Sequence, residues 1–120
     1  PKLINWFAQN PDLSSHPKLQ PLPIGVANKE WPHGDIQAIL TARERSERSF
    51  SAKTGWLYLN VNPETSADRK RALEILGNKN FVTHGSRGSF DSYLQDLSQH
   101  RFTLSPAGNG LDTHRTWESL

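Results

Sequence analysis

The 120-residue chain has no cysteine, so disulfides and thiolate metal sites are excluded. That composition fits a reducing compartment such as the cytoplasm without requiring one. Long apolar runs are missing too, and nothing approaches the roughly 18–20 residues of a membrane span. The amino end shows no secretory signal pattern, and it opens on Pro1 rather than methionine, so the chain is expected to be a piece of something longer. Charge of one sign is scarce: the formal net charge is +2, too little for a nucleic-acid footprint, and no nucleic-acid partner is expected. No two of the five histidines (His16, His33, His84, His100, His114) have the i,i+4 helical spacing of a zinc motif. Neither a metal nor a cofactor is therefore expected.

What is present reads as a globular protein of one domain at most. About a third of the residues are apolar and a fifth charged (34% and 22%), which is ample for a packed core. The densest basic cluster, Arg69-Lys70-Arg71, lies between Asp68 and Glu74. It reads first as a solvated helix face with local ion pairing, the alternative being a phosphate-contacting patch.

The first part of the chain differs from the rest. Residues 1–34 hold six of the eight prolines, with few periodic apolar positions, and read as a linker leading into the domain. Within it, Leu22 to Val26 is expected to be extended. From Asp35 the pattern becomes regular. Ile36, Ile39 and Leu40 fall at helical spacing and are followed by the charged stretch Arg43–Arg48. Trp56–Val61 reads as a strand ending before Pro63. Thr65 and Asp68 have capping-box spacing ahead of a helix that carries Ala72, Leu73 and Leu76 inward and ends at Gly77. Phe81–His84 is the next strand. Ser89 can cap a third helix with Phe90, Tyr93, Leu94 and Leu97 on one side, and His100 suits its negative pole. Arg101–Ser105 is the third strong strand, followed by a glycine-containing loop and a helix from about Leu111 or Asp112.

Strands that alternate with helices are βαβ units. They call for an α/β fold with a Rossmann-like parallel sheet over residues 35–120, both faces covered. In such sheets ligands bind beyond the carboxyl ends of the strands. The richest of these ends is Ser105-Pro-Ala-Gly-Asn-Gly110. Gly108 and Gly110 lack Cβ, so the backbone there can adopt positive φ and approach a ligand closely. The following helix offers free N–H groups to an anion such as a diphosphate. His114 and Arg115 in its first turn oppose the helix dipole unless they share that anion. Arg115 and Glu118 stand three apart and can project from one side, or simply form an ion pair. Ser105 has no recognisable partner base and is a poor nucleophile. On residues alone, this is an anion-binding α/β domain.

The stretch Phe102-Thr-Leu-Ser-Pro-Ala-Gly-Asn-Gly-Leu-Asp-Thr-His-Arg-Thr-Trp-Glu-Ser-Leu120 resembles the motif of exostosin-like glycosyltransferases, roughly F-x-L-x-P-x-G-x-G-x-D-x-x-R-x-W-E-x-L. Leu22–Asn28 and Ser89-Phe90-x-x-Tyr93-Leu94 are similar to the family in weaker form. The resemblance implies the GT-B architecture of two Rossmann-like domains. This chain would be a fragment of the carboxyl-terminal, donor-nucleotide-binding domain, truncated at its own carboxyl end.

By motif position, Glu118 resembles the residue that accepts from the donor ribose, and Arg115 the one that faces the diphosphate. Gly108, Asn109 and Gly110 would form the loop beside the diphosphate and sugar. Asp112 would cap the helix or touch the sugar, and His114 would donate to phosphate. Trp117 is expected in the core. Arg87, in the polar loop after the second strand, is a second possible donor contact, or an exposed turn residue. The implied partners are a nucleotide-diphosphate sugar, a glycan or other hydroxyl acceptor, and the amino-terminal domain of the same enzyme. That domain would supply the catalytic base, so no catalytic residue is assigned and the isolated chain is expected to be inactive. The alternative is a non-catalytic nucleotide- or phosphate-binding or interaction module.

Overall fold

The structure, a computed structural model, describes residues 2–12, 16–46 and 49–120. Glu47 and Arg48 of the charged stretch lie outside the described residues, as do Pro1 and positions 13–15 of the linker. Trp56 to Leu59 can bury consecutive side chains only between covering layers, and they form the centre of the fold. The strand β3 (Gly55–Leu59) lies between β4 (Val82–His84) and β5 (His100–Thr103), all parallel. Leu57 stands beside Val82 and Phe102, and Tyr58 beside Thr83 and Thr103. The core sits at the carboxyl half of β3. Tyr58 is 0% exposed, Leu59 2%, and Leu94 of the covering helix 4%. Other positions of the sheet are open: Trp56 and Phe102 are each 53% exposed. The expectation of a sheet covered on both faces therefore holds only in part.

The helices begin where short polar side chains can take up orphan N–H groups. Asp35 accepts from Gln37 and Ala38 at the start of α1 (Ile36–Arg45), and Ser89 accepts from Ser92 at the start of α3 (Phe90–Gln99). Ahead of α2 (Ala67–Leu76) the cap differs from the expected Thr65–Asp68 box. Ser66 accepts from the Arg69 N–H, while Thr65 closes the preceding 3-10 turn through the Asn62 carbonyl. Asn62 had already begun that turn by accepting from Glu64 N–H, which shifts the helix start one residue on. His100 meets the end of α3 as its charge pattern suggests, with Nδ1 2.6 Å from the Asp96 carbonyl.

The linker is more ordered than its prolines imply. It holds two short parallel strands, β1 (Trp6–Gln9) and β2 (Leu19–Leu22), paired Trp6 to Leu19 through Gln9 to Leu22. The extended stretch expected at Leu22–Val26 thus overlaps β2 only at its first residue. Among the described residues no helix is long and apolar enough to cross a membrane.

Candidate anion-binding site at the strand ends

The chain runs from β3 outward to β4 and then back across β3 to β5, which makes the β3–β5 boundary a topological switch point. This is where open α/β sheets form a crevice. A cavity of about 710 Å³ opens there, bounded by Asn60 beyond β3, Gly88 to Tyr93 beyond β4, and Gly108 to Arg115 beyond β5.

Three ties fix the loop that forms its floor. Ser66, while capping α2, also donates its hydroxyl to the Ala107 carbonyl at 2.6 Å. Asn10 brackets the Asp112 backbone: its Nδ2 donates to the Asp112 carbonyl at 3.1 Å, and its Oδ1 accepts from the Asp112 N–H at 2.6 Å. Asn10 does so at φ 46°, a left-handed conformation that asparagine tolerates better than most residues. The Asp112 carboxylate then accepts from Ile24 N–H and Trp117 Nε1–H, both at 2.7 Å.

Asp112 is thus a strut rather than a helix cap. The helix expected from Leu111 or Asp112 starts only at His114, behind Thr113, as the five-residue α4 (His114–Glu118). The Asp112 side chain turns away to the linker and to Trp117, so it offers α4 no cap. A helix this short also carries little dipole, so the anion-binding role expected of its amino end is not supported. Trp117 is half-buried, its indole held by Asp112.

The two loop glycines are explained by close approach, not by backbone sign. Among the described glycines only Gly25 has positive φ. A Cβ on Gly108 would come within 2.6 Å of Arg69 Nη2, and one on Gly110 within 2.5 Å of the Asn10 side chain. Each glycine makes room for a side chain arriving from elsewhere in the chain.

Charge and hydrogen bonding meet on α3 and α4. The Tyr93 hydroxyl donates to Glu118 Oε2 at 2.9 Å, and the Arg115 guanidinium carbon lies 5.8 Å from the Tyr93 ring centre. Burial, followed by the negative charge of Glu118, pushes the Tyr93 phenol well above its ordinary range, so it remains a donor. Behind it, Tyr58 is also raised, chiefly by burial. His114 Nδ1 lies 2.7 Å from the Gly25 carbonyl. A carbonyl only accepts, so Nδ1 carries the hydrogen, and a neutral His114 ring keeps Nε2 as an acceptor. The ring can donate to a phosphate only as imidazolium. His33 and Phe90 add aromatic surface to the lining, with His33 6.4 Å from Phe90 and 6.2 Å from His114 between ring centres.

The structure brings Gly108, Asn109, Gly110, Asp112, His114, Arg115 and Glu118 together around one cavity. Arg87 is exposed on the bend before Gly88 and is not among the residues lining that cavity. Arg69 also departs from expectation: Lys70 and Arg71 are exposed, as a solvated face requires, but Arg69 is half-buried and lines the cavity. Its Nε and that of Arg115 are both buried and without a hydrogen-bond partner among the described residues. An orphaned buried polar group ordinarily costs about 1–3 kcal/mol, and more when charged. Sequence reading also missed Asn10, whose Asn-Pro step signals a turn but not its distant partner. Tyr93 stood out as an apolar helix position and within a weak family echo, not as a partner of Glu118. Among the described residues, no group of three or more His, Cys, Asp or Glu side chains is placed to hold a metal ion.

Fold and cavity together define an α/β protein with a Rossmann-like parallel sheet and an arginine-bearing crevice at its carboxyl edge. No family model matches the chain, and neither does any curated protein.

Proposed function

We propose that the chain is the donor-binding part of a glycosyltransferase of GT-B architecture, holding a nucleotide-diphosphate sugar at the carboxyl ends of β3, β4 and β5. One observation carries this reading. A single cavity gathers the glycine loop, Arg115 and Glu118, the residues that the Phe102–Leu120 motif associates with the donor. Glu118 uses one carboxylate oxygen on Tyr93, and its other oxygen can accept from a ribose hydroxyl. Arg115 can pair with phosphate oxygens.

In the transfer, the bond between the anomeric carbon and the diphosphate oxygen breaks. The oxygen of a glycan or other hydroxyl acceptor bonds to that carbon and gives its proton to a base on the amino-terminal domain. Negative charge grows on the departing diphosphate, where a guanidinium held by the fold stabilises it. No metal is assigned a role.

Calorimetry against a panel of nucleoside-diphosphate sugars tests the reading. The wild-type chain binds at least one of them, and Arg115→Ala and Glu118→Ala each weaken it at least tenfold, about 1.4 kcal/mol. Unchanged affinity in both variants overturns the assignment. Binding without sugar transfer in the full-length protein moves the chain to the second class, a non-catalytic nucleotide-binding module.

A further inference from the structure

Arginines in this fold come in two kinds. Arg101 is satisfied by the protein: its guanidinium carbon lies 4.5 Å from the Trp56 ring centre and 5.7 Å from that of Phe50, and it donates to the Phe50 and Ser51 carbonyls. That is how a structural arginine looks. Arg69 and Arg115 differ, because each has a buried Nε with no hydrogen-bond partner among the described residues, and both line the same cavity. They are also close enough to repel. Burial first, and then the positive charge of Arg115, lower the Arg69 guanidinium from its ordinary value. The carboxylates nearby do not relieve them through Nε. Asp112 is turned to Ile24 N–H and the Trp117 indole, and Glu118 accepts from Tyr93.

Two like charges held together with unmet donors match a ligand that carries two negative charges side by side. We propose that Arg69 and Arg115 form a two-guanidinium clamp on the paired phosphates of a diphosphate, with Gly108 bare so that the Arg69 arm can lie beneath the loop. The clamp gives Arg69, on the far side of the cavity loop in sequence, a binding role. It specifies the donor's diphosphate within the nucleotide-sugar reading and rests on that reading for its biological ligand. The placement has a structural cause: Ser66 ties the start of α2 to the Ala107 carbonyl, which sets Arg69, one turn on, against Gly108.

The test uses inorganic pyrophosphate and inorganic phosphate as probes, alongside the panel of nucleoside-diphosphate sugars, with calorimetry on the 120-residue chain. Wild type is expected to prefer pyrophosphate to phosphate by at least tenfold. Arg69→Ala removes that preference, and Arg69→Lys, which keeps the charge without the planar fork, restores only part of it. Gly108→Ala pushes a methyl group onto the Arg69 arm and reproduces the loss. Combining it with Arg69→Ala adds nothing further, since both act through one contact. That non-additivity separates a clamp from general damage to the fold, for which the two losses would add.

If nucleoside-diphosphate sugars bind wild type and Arg69→Ala equally, the clamp is wrong and the donor reading stands. If pyrophosphate binds through Arg69 but no nucleoside-diphosphate sugar binds, the clamp stands and the donor reading falls. If neither ligand binds wild type, both are overturned.

Discussion

Tyr93 shows how much one side chain can decide here. Its ring packs against Phe90 at 5.9 Å and Tyr58 at 6.1 Å between centres, and its hydroxyl holds Glu118. A hydrogen bond to a charged group contributes about 1.5–3 kcal/mol, so Tyr93→Phe should leave the ring packing intact yet release Glu118. We expect ligand affinity to fall three- to tenfold with the far-UV dichroism spectrum unchanged. A variant that binds like wild type would show that Tyr93 does not set the Glu118 position. The same phenol makes a pH prediction. In the folded state its proton is held more tightly than in the unfolded chain, where phenols titrate near 10. The folded state therefore binds more protons above that pH, and stability falls as pH rises from about 10 through the raised folded value. Tyr58 shifts in the same direction and adds to the loss. Urea midpoints should be flat with respect to Tyr93 below pH 10 and decline above it, less steeply in Tyr93→Phe. An equal slope in the variant would count against the buried phenol as the cause.

At the scale of elements, local segments are assembled by ties that span long stretches of chain. Asn10 and Asp112 are 102 residues apart in sequence, and Ser66 and Ala107 are 41 apart. Removing the first tie should loosen the glycine loop while leaving β3–β5 in place. In Asn10→Ala, the Asp112 amide loses its acceptor and a methyl side chain must sit at left-handed φ, so the cost is about 1–2 kcal/mol. Hydrogen exchange at residues 105–113 should speed up, while the Tyr58 and Leu59 amides keep their protection. Unchanged exchange in the loop would mean that Asn10 is not its anchor.

The same long-range ties explain what could be read from the sequence. The three parallel strands and their helices were legible because each rests on local signals: the apolar run at 56–59, the Ser89 cap, the regular pattern that starts at Asp35, and the i, i+3, i+4 pattern of α3. The cavity's own loop was legible from Gly108 and Gly110. The partners that explain those glycines, Arg69 and Asn10, were not, because neither lies near them in sequence. Arg69 looked like its solvated neighbours Lys70 and Arg71 because only the position of the Gly108 loop distinguishes them. The start of α4 slipped for a similar reason: Asp112 has the composition of a cap, but its carboxylate serves Ile24 and Trp117.

For the whole molecule, the balance between core and site is unusual. The radius of gyration is 16.6 Å, whereas a compact chain of this length has about 14 Å. Among the described residues only Ala27, Gly34, Tyr58, Leu59, Leu94 and His100 are buried, while Trp6, Phe7, Trp31 and Trp56 are all more than half exposed. Burial alone then contributes modestly, and the polar ties around the cavity hold together segments from both ends of the chain. A ligand seated there would touch α2 through Arg69 and α4 through Arg115, next to a loop that Asn10 fastens to the linker. It should stabilise the fold as a whole rather than one loop. A ligand that binds only the folded state adds about 2.7 kcal/mol at a hundred times its Kd. For a domain of this size that corresponds to roughly 10 °C in midpoint. We therefore expect a nucleoside-diphosphate sugar that binds by calorimetry to raise the thermal midpoint by about this amount and to slow exchange in the linker, α2 and α4 together. Glu118→Ala, titrated at the same concentration, should show about half of the shift or less. Protection confined to α4, or a midpoint that does not move, would count against a ligand that bridges α2 and α4 across the crevice at the strand ends.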